Sequence, residues 1–290
     1  VGQELIQILE SRKFPINTLR PLASERSAGS TVPFNGDHIE VETLTHDSFK
    51  DIDIALFSAG GSISETFAPS AVAAGATVID NTSHFRMDPE VPLIVPEVNA
   101  HAIKKHKGII ANPNCSTAQM VLALAPIHKA ATIKRVVIAT YQSVSGAGKP
   151  AITELETQSR LLLSGGRPKA DVFQKDIGFN VIPQIDVFLD NGYTKEEWKM
   201  ISETKKILED DSIALTATCV RVPVFIGHSE AINIETKEKL TAAAAKKVLK
   251  AAPGIEVQDN PKKSVYPTPK EIAGQDPSFI GRIREDVSCE

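Results

Sequence analysis

The residues most able to do chemistry sit in the run Asn112-Pro113-Asn114-Cys115-Ser116-Thr117. An apolar segment, Gly108 to Ala111, leads into it, and a helical pattern beginning with Ser116 follows. That order places Cys115 where unsatisfied backbone N–H groups and the helix dipole favour an anion, which predicts a thiol pKa below the free value of about 8.5. Cys115 is therefore a candidate nucleophile, and the same N–H groups could steady an oxyanion. Most free cysteines are small core residues, and spacing alone leaves both readings of Cys115 open. Cys219, inside the alternation Leu215-Thr216-Ala217-Thr218-Cys219-Val220, reads as packing, and Cys289 lies in a polar tail. Three widely spaced cysteines give neither a C-x-x-C pair nor a disulfide framework.

A nucleophilic thiol needs a proton partner. Of seven histidines, six (His38, His46, His84, His101, His106 and His128) lie in helical or polar segments, whereas His228 follows Gly227 at the end of the strand-like run Arg221 to Ile226. Glycine there permits close approach to a ligand, so His228 is the best base candidate. Arg221, alone among apolar neighbours, suits a buried carboxylate or phosphate, with a structural ion pair as the competing explanation. Arg86 and Lys199 are further cations in unusual settings, and for Lys199, on a helix rich in Lys and Glu, a surface charge is the plain reading. In Ser24-Glu25-Arg26-Ser27, an arginine flanked by serines stands near the place where a dinucleotide fold reads the ribose. Arg26 with Ser24 and Ser27 suits a 2′-phosphate, which implies NADP rather than NAD, with a merely solvated Ser/Arg-rich loop as the competing reading. No metal-binding pattern is readable.

The chain must supply elements that hold these residues. Its 290 residues correspond to about two domains at roughly 150 residues each. Apolar residues at 42% and charged residues at 23% are globular values. The net charge of -4 offers no basic footprint for nucleic acid, and no apolar stretch is long enough to cross a bilayer. The expectation is a cytoplasmic protein.

Short apolar runs alternate with helical patterns over the first 110 or so residues, as in a parallel sheet with crossover helices. Strands are expected at Leu19–Ala23, Ile39–Leu44, Ile54–Ser58, Ala76–Ile79, Leu93–Val95 and Gly108–Ala111. Helices are expected at Gly2–Ser11, Ser64–Ala74, Ala100–Lys105 and Ser116–Lys129. Beyond Ile133 come longer β-rich runs, Lys134–Ser143 and Ile213–Ile234, with polar helices near Ile152–Leu163 and Glu196–Leu208. The stretch Gln258–Pro269 reads as a turn-rich connection.

Six ordered motifs then carry a resemblance: Leu22-Ala23-Ser24-Glu25-Arg26-Ser27-Ala28-Gly29, Phe57-Ser58-Ala59-Gly60-Gly61, Asp80-Asn81-Thr82-Ser83-His84-Phe85-Arg86-Met87, the Asn112 to Thr117 run, Gln142-Ser143-Val144-Ser145-Gly146-Ala147-Gly148, and Arg221 through Glu230. Together they resemble aspartate-semialdehyde dehydrogenases of the bacterial and plant type over essentially the whole chain. The resemblance implies an α/β fold: a Rossmann-like NADP-binding domain over 1–113, then an α+β catalytic and dimerisation domain over 114–290. It implies NADPH-dependent reductive dephosphorylation of L-aspartyl-4-phosphate to L-aspartate 4-semialdehyde through a cysteine thioacyl enzyme, a step toward lysine, threonine and methionine.

By the same resemblance, Cys115 is the nucleophile, His228 the acid/base residue and Gln142 the residue orienting the acyl group. Arg221 clamps the substrate carboxylate, Glu196 lies near its amino group, and Arg86, Asn114 and Lys199 form the phosphate pocket. Val1, Ser24, Arg26, Ser27, Ser145 and Gly146 contact the cofactor. The implied assembly is a homodimer or homotetramer, in the cytoplasm, or in a plastid for a plant or alga. Relative to that pattern the chain begins at the Val1-Gly2 equivalent of a G-x-V-G turn and stops before a final return helix, so both ends are expected to be truncated. Rival readings are N-acetyl-glutamyl-phosphate reductase, whose pattern has glycine where Asn114 stands, a non-catalytic subunit, and a nucleotide-free cysteine hydrolase.

Overall fold

The protein is described here by a computed structural model covering residues 1–289. Its contacts divide into two units, one of Val1–Ile94 with His101–Pro113, the other of Val95–Ala100 with the chain from Asn114 onward. No helix among the described residues is long and apolar enough to cross a membrane.

In the first unit, helix α1 (Gly2–Ser11) precedes strands β1 (Leu22–Ala23), β2 (Thr31–Phe34), β3 (Asp37–Glu40) and β4 (Glu42–Thr43). Then come β5 (Ile54–Phe57), α2 (Gly61–Ala73), β6 (Thr77–Asp80) and β7 (Ile109–Ala111). β5, β6 and β7 form a parallel sheet in that order, and β1 pairs in parallel with β4. Phe57, Ala68, Ala71 and Val78 join Phe49 in the core beneath this sheet, so one face of each strand and one stripe of α2 are covered.

The second unit contains α3 (Pro96–Asn99), α4 (Cys115–Ala131), β8 (Ile133–Gln142), α5 (Lys149–Leu163), α6 (Lys195–Leu208), β9 (Ala214–Arg221) and β10 (Ser229–Thr236). It ends with α7 (Ala242–Lys250), β11 (Ile255–Val257), α8 (Pro269–Ile272) and β12 (Ser278–Ile280). β8 is the central strand, antiparallel to β10 and parallel to β9. Its inward residues Ile133, Val136 and Ile138 meet Met120, Leu124 and Ile127 of α4 and Met200 of α6. The site side chains stand at one end of this sheet, where Gln142 is level with Arg221.

Several expected elements are corrected. The run 39–44 is split at Val41 between β3 and β4, and β3 is the second arm of an unforeseen hairpin with β2. Asn35 and Gly36, at φ 51° and 87°, make the left-handed turn that this hairpin needs. Leu93–Val95 is a single bridge from Leu93 to Ala111 rather than a strand, because Pro92 and Pro96 confine it. Residues 100–105 are a 3₁₀ turn. The long run Ile213–Ile234 is two strands, β9 ending at Arg221 and β10 starting at Ser229. Between them Pro223 lacks an N–H for the ladder, and Gly227 at φ 93° turns the chain. α7, β11 and β12 were not anticipated.

Candidate active site

α4 begins one residue earlier than expected, with Cys115 as its first helical residue and Asn114 as its N-cap. Asn114 Oδ1 accepts hydrogen bonds from the Ser116 and Thr117 amides at 3.0 and 3.3 Å. Those two amides are thus occupied by the cap, which corrects the expectation that they would steady an oxyanion. The Asn114 amide donates to Glu203 Oε2 at 2.7 Å, and Asn114 Nδ2 donates to Glu196 Oε1 at 2.8 Å. Two carboxylates of α6 therefore lock the head of α4, while the Cys115 side chain is exposed. An anionic Cys115 sulfur and the Arg221 guanidinium attract one another across the site.

Glu196 is the hub. It is 5% exposed, and besides Asn114 it accepts from Gln142 Nε2 at 3.4 Å and from Lys199 Nζ at 3.3 Å. Gln142, the last residue of β8, is buried and also donates to Thr140 Oγ1 at 3.3 Å. Lys199 lies one turn after Glu196 and is tied to Asp186 Oδ2 at 2.9 Å, so it is no free surface charge. Burial acts against the Lys199 charge, but Asp186 and Glu196 outweigh it and hold the amine above its ordinary value. α6 is started by a reciprocal cap between Thr194 and Glu197, and Glu197 Oε1 also accepts the Cys219 amide at 2.9 Å, pinning helix to strand.

Arg221 ends β9 and is 6% exposed. Its Nη1 donates to the Ser143 carbonyl at 2.7 Å, its Nε is buried without a partner, and no described carboxylate lies within ion-pair distance. Burial draws the guanidinium below its ordinary value, and Glu196 and Cys115 act in the opposite direction. A buried cation with an unused donor is a site built for an incoming anion. The structural ion pair considered above is not what occupies Arg221.

His228, half-buried in the loop that joins β9 to β10, receives the Ser143 amide proton at Nδ1 over 3.1 Å and lies 3.0 Å from Ser143 Oγ. A backbone N–H can only donate, so the neutral ring carries its proton on Nε2. Burial and then Arg221 push the imidazole down to about 4, against the opposing pull of Glu196. The side chain read from sequence as a base is thus arranged as an Nε2–H donor. A Cβ on Gly146 would come within 3.1 Å of Arg221 Nη1 and 3.4 Å of His228 Nε2, so both groups border that one backbone position. Ser145 Oγ lies 3.0 Å from Ser143 Oγ.

Cys219 is buried, and burial pushes its thiol up to about 12, which leaves it a packing residue beside Met200. Ser143, Thr140, Asp186 and Glu203 are site residues the sequence reading did not single out. Only Ser143 had a signal, its place in the Gln142 to Gly148 motif; the others are defined by partners more than ten residues away or by sheet register.

The remaining candidates lie in the first unit. Buried Asp80, at the end of β6, accepts from Ser64 Oγ, the Thr82 amide and Thr82 Oγ1 at 2.8 to 2.9 Å, which fixes the turn that follows. Arg86 leaves that turn buried, donating to the carbonyls of Asn112 and Asn81 at 2.9 Å each. Ser24, Arg26 and Ser27 lie exposed in the turn after β1, and among the described residues none makes a hydrogen bond or ion pair to their side chains. Val1 precedes α1, whose N-terminus has no side-chain cap.

Two family models match, the NAD binding domain of semialdehyde dehydrogenase over residues 1–106 and its dimerisation domain over 124–290. The chain is 53% identical to an aspartate-semialdehyde dehydrogenase of Aquifex aeolicus over 99% of its own length and 85% of the relative's. It is 50% identical to that of Bacillus subtilis, again over 99% and 85%. Among solved structures, aspartate semialdehyde dehydrogenase II of Vibrio cholerae, described in one case as complexed with ASA, superposes with a TM-score of 0.96 at 48% identity, covering 99% of this chain and 86% of that one. A Candida albicans enzyme described with NADP superposes at 0.73 and 26% identity, with coverage of 98% and 87%. The chain belongs to the aspartate-semialdehyde dehydrogenase family.

Proposed function

We propose that this chain converts L-aspartyl-4-phosphate to L-aspartate 4-semialdehyde and phosphate at the expense of NADPH, with Cys115 as the acyl carrier. The observation that carries this reading is the meeting, within one unit, of an exposed cysteine at a helix head, a buried arginine with an unused donor and an imidazole fixed as an Nε2–H donor. Membership of the family supports the substrate class.

Arg221 suits the substrate α-carboxylate, and Glu196 suits its ammonium group, so the two ends of the amino acid select one orientation. Cys115 sulfur then bonds to the acyl carbon as the carbon–oxygen bond to phosphate breaks, leaving a thioester. Gln142, fastened by Thr140 and Glu196, can direct its amide toward the acyl group. NADPH, when bound, supplies the hydride that reduces the thioester. His228 Nε2–H donates toward the oxyanion formed as that carbon becomes tetrahedral, and Cys115 leaves as thiolate when the aldehyde forms. Lys199 is the cation of this unit suited to the phosphate.

The residues of the first unit fit NADP. Arg26 is an exposed guanidinium without an acidic partner, flanked by two unengaged hydroxyls, and no acidic side chain beyond Glu25 stands in that turn. For assembly, Tyr141, Phe179, Val187 and Phe188 of the second unit are each at least 44% exposed, and the matching family model is a dimerisation domain; a homodimer is the reading these support.

The test is NADPH formation from L-aspartate 4-semialdehyde, phosphate and NADP⁺. Cys115→Ala is expected to abolish it, and omission of phosphate is expected to stop turnover after one thioacylation. Substantial turnover by Cys115→Ala would overturn the assignment. Arg26→Ala is expected to raise the KM for NADP⁺ about tenfold and leave that for NAD⁺ unchanged; equal effects on both would overturn the NADP reading.

A further inference from the structure

The Nη1 end of Arg221 is fixed by the Ser143 carbonyl and bordered by Gly146. The guanidinium carbon lies over the ring of Phe173, 5.8 Å from its centroid. Phe173 comes from the irregular chain between α5 and α6, and that chain is anchored with unusual care. Two buried polar residues of α5, Glu154 and Gln158, face it. Glu154 Oε2 accepts the Asp171 and Val172 amides. Gln158 Oε1 accepts the Ile177 and Gly178 amides at 2.7 and 2.9 Å, and its Nε2 donates to the Lys169 carbonyl at 3.0 Å.

Five hydrogen bonds thus bracket Phe173, whose ring also packs on the cluster of Val144, Ala151, Leu155, Ile177 and Ile182. Burying a carboxylate and an amide to hold a loop is unfavourable unless the geometry they fix matters. The side chain they fix over the site is Phe173.

We propose that Phe173 is a positioning residue: carried by a loop pinned to α5, its ring face holds the Arg221 guanidinium in place and leaves the unused N–H groups to the carboxylate of the ligand. The aromatic face attracts the cation and excludes water from it, while leaving the in-plane donors open for bidentate pairing. This rests on the substrate reading given above for Arg221, and its signature is in binding rather than in the chemical step.

The experiment uses the full-length protein with Phe173→Leu, which keeps the apolar contact, and Phe173→Tyr, which keeps the ring. Phe173→Leu is expected to raise the KM for L-aspartate 4-semialdehyde by about two- to thirtyfold, the range of a partly to fully desolvated cation–π contact, with kcat within about twofold. Phe173→Tyr is expected to restore KM. A second readout needs no substrate: alkylation of Cys115, in which sulfur displaces iodide, is compared for iodoacetate and iodoacetamide. Arg221 draws in the carboxylate of the former, so the rate ratio is expected to fall severalfold in Phe173→Leu and to be kept in Phe173→Tyr. Unchanged KM and rate ratio in Phe173→Leu, or equal losses in Leu and Tyr variants, would overturn the proposal. A wild-type protein inactive on the semialdehyde would instead sink the substrate reading, while the alkylation ratio would still decide the role of Phe173.

Discussion

Glu230 offers a sharp test of how burial governs this fold. It lies two residues after His228 on β10, level with Thr140 and, through β8, with Cys219. The residue as a whole is only half-buried, yet its Oε1 is sealed from solvent and has no partner. Burial pushes the carboxyl up to about 8, with Gln119 of α4 acting weakly in the other direction. Glu230 is therefore a neutral acid at pH 7 in the folded protein and a carboxylate once the chain unfolds, where its value returns to 4.5. A folded value above the unfolded one means that stability is intact below pH 4.5 and falls as the pH rises from there to about 8. At pH 7 the gap amounts to roughly 3 kcal/mol, counting about 1.4 kcal/mol per pH unit over the interval already crossed.

Glu230→Gln removes the ionisation and keeps the shape, although its amide must still find partners in a place where one oxygen has none. The net gain at pH 7.5 is expected to be about 1–3 kcal/mol, or some 2–10 °C in Tm for a chain of this size. At pH 5 the difference should shrink to under about 1 kcal/mol. Calorimetric unfolding of both proteins from pH 5 to 9, at one protein concentration, measures this directly. Stability curves that run parallel over that range would show that Glu230 is ionised in the native state and that the assigned burial is wrong.

Three further outcomes follow from the same geometry. His228 titrates near 4 when folded and near 6.5 when unfolded, so its contribution is present above pH 6.5 and is lost as the pH falls toward 4; His228→Gln should flatten the acid limb of stability by up to about 3 kcal/mol, and an unaltered acid limb would contradict the neutral imidazole. Asn114→Ala removes the N-cap and strips a donor from Glu196, so a loss of about 1–3 kcal/mol in denaturant unfolding is expected, together with lower kcat; a loss below about 0.5 kcal/mol would deny the cap its role. Gly146→Ala places a methyl 3.1 Å from Arg221 Nη1 and 3.4 Å from His228 Nε2, so kcat/KM should fall about tenfold, roughly 1.4 kcal/mol, while Tm stays within a few degrees; unchanged kcat/KM would show that both groups can yield.

The sequence disclosed what depends on local pattern. α1, α6 and the strands β5, β6 and β8 are found within a few residues of their expected positions because their apolar periods and caps are local, as in the reciprocal pairing of Thr194 with Glu197. Cys115 was legible as a residue at a strand-to-helix turn, and the six motifs located Arg221 and His228. What stayed hidden is pairing across the chain. The surroundings of Cys115, the partners of Arg221 and the nitrogen of His228 that holds the proton depend on contacts across 78 to 89 positions, Asn114 with Glu196 and Glu203, and Ser143 with Arg221 and His228. The break of the long β run at Arg221 was written in Pro223 and Gly227, but a continuous apolar run masked it.

The two ionisable side chains at the start of β10 are driven in opposite directions by one cause. Burial lowers His228 to about 4 and raises Glu230 to about 8, because in each case it disfavours the charged form. Between those values both are neutral, and neither adds a charge to the field at the sulfur. The cation left to act on Cys115 from this sheet is Arg221, whose charge does not change over the same range. Within that window neither of these two side chains alters the attraction of the site for an anionic sulfur and a carboxylate, and His228 acts through the hydrogen it already holds on Nε2. Since neutrality of the ring is enforced by its surroundings, a proton passed to the oxyanion leaves an imidazolate-like nitrogen that must be refilled at once. The Ser143 amide cannot supply it, as it stays bonded to its own nitrogen while donating to Nδ1. His228 is therefore suited to share its proton in a hydrogen bond at the tetrahedral stage and to keep it, so that its replacement by Gln, which retains an N–H donor, should preserve more activity than replacement by Ala.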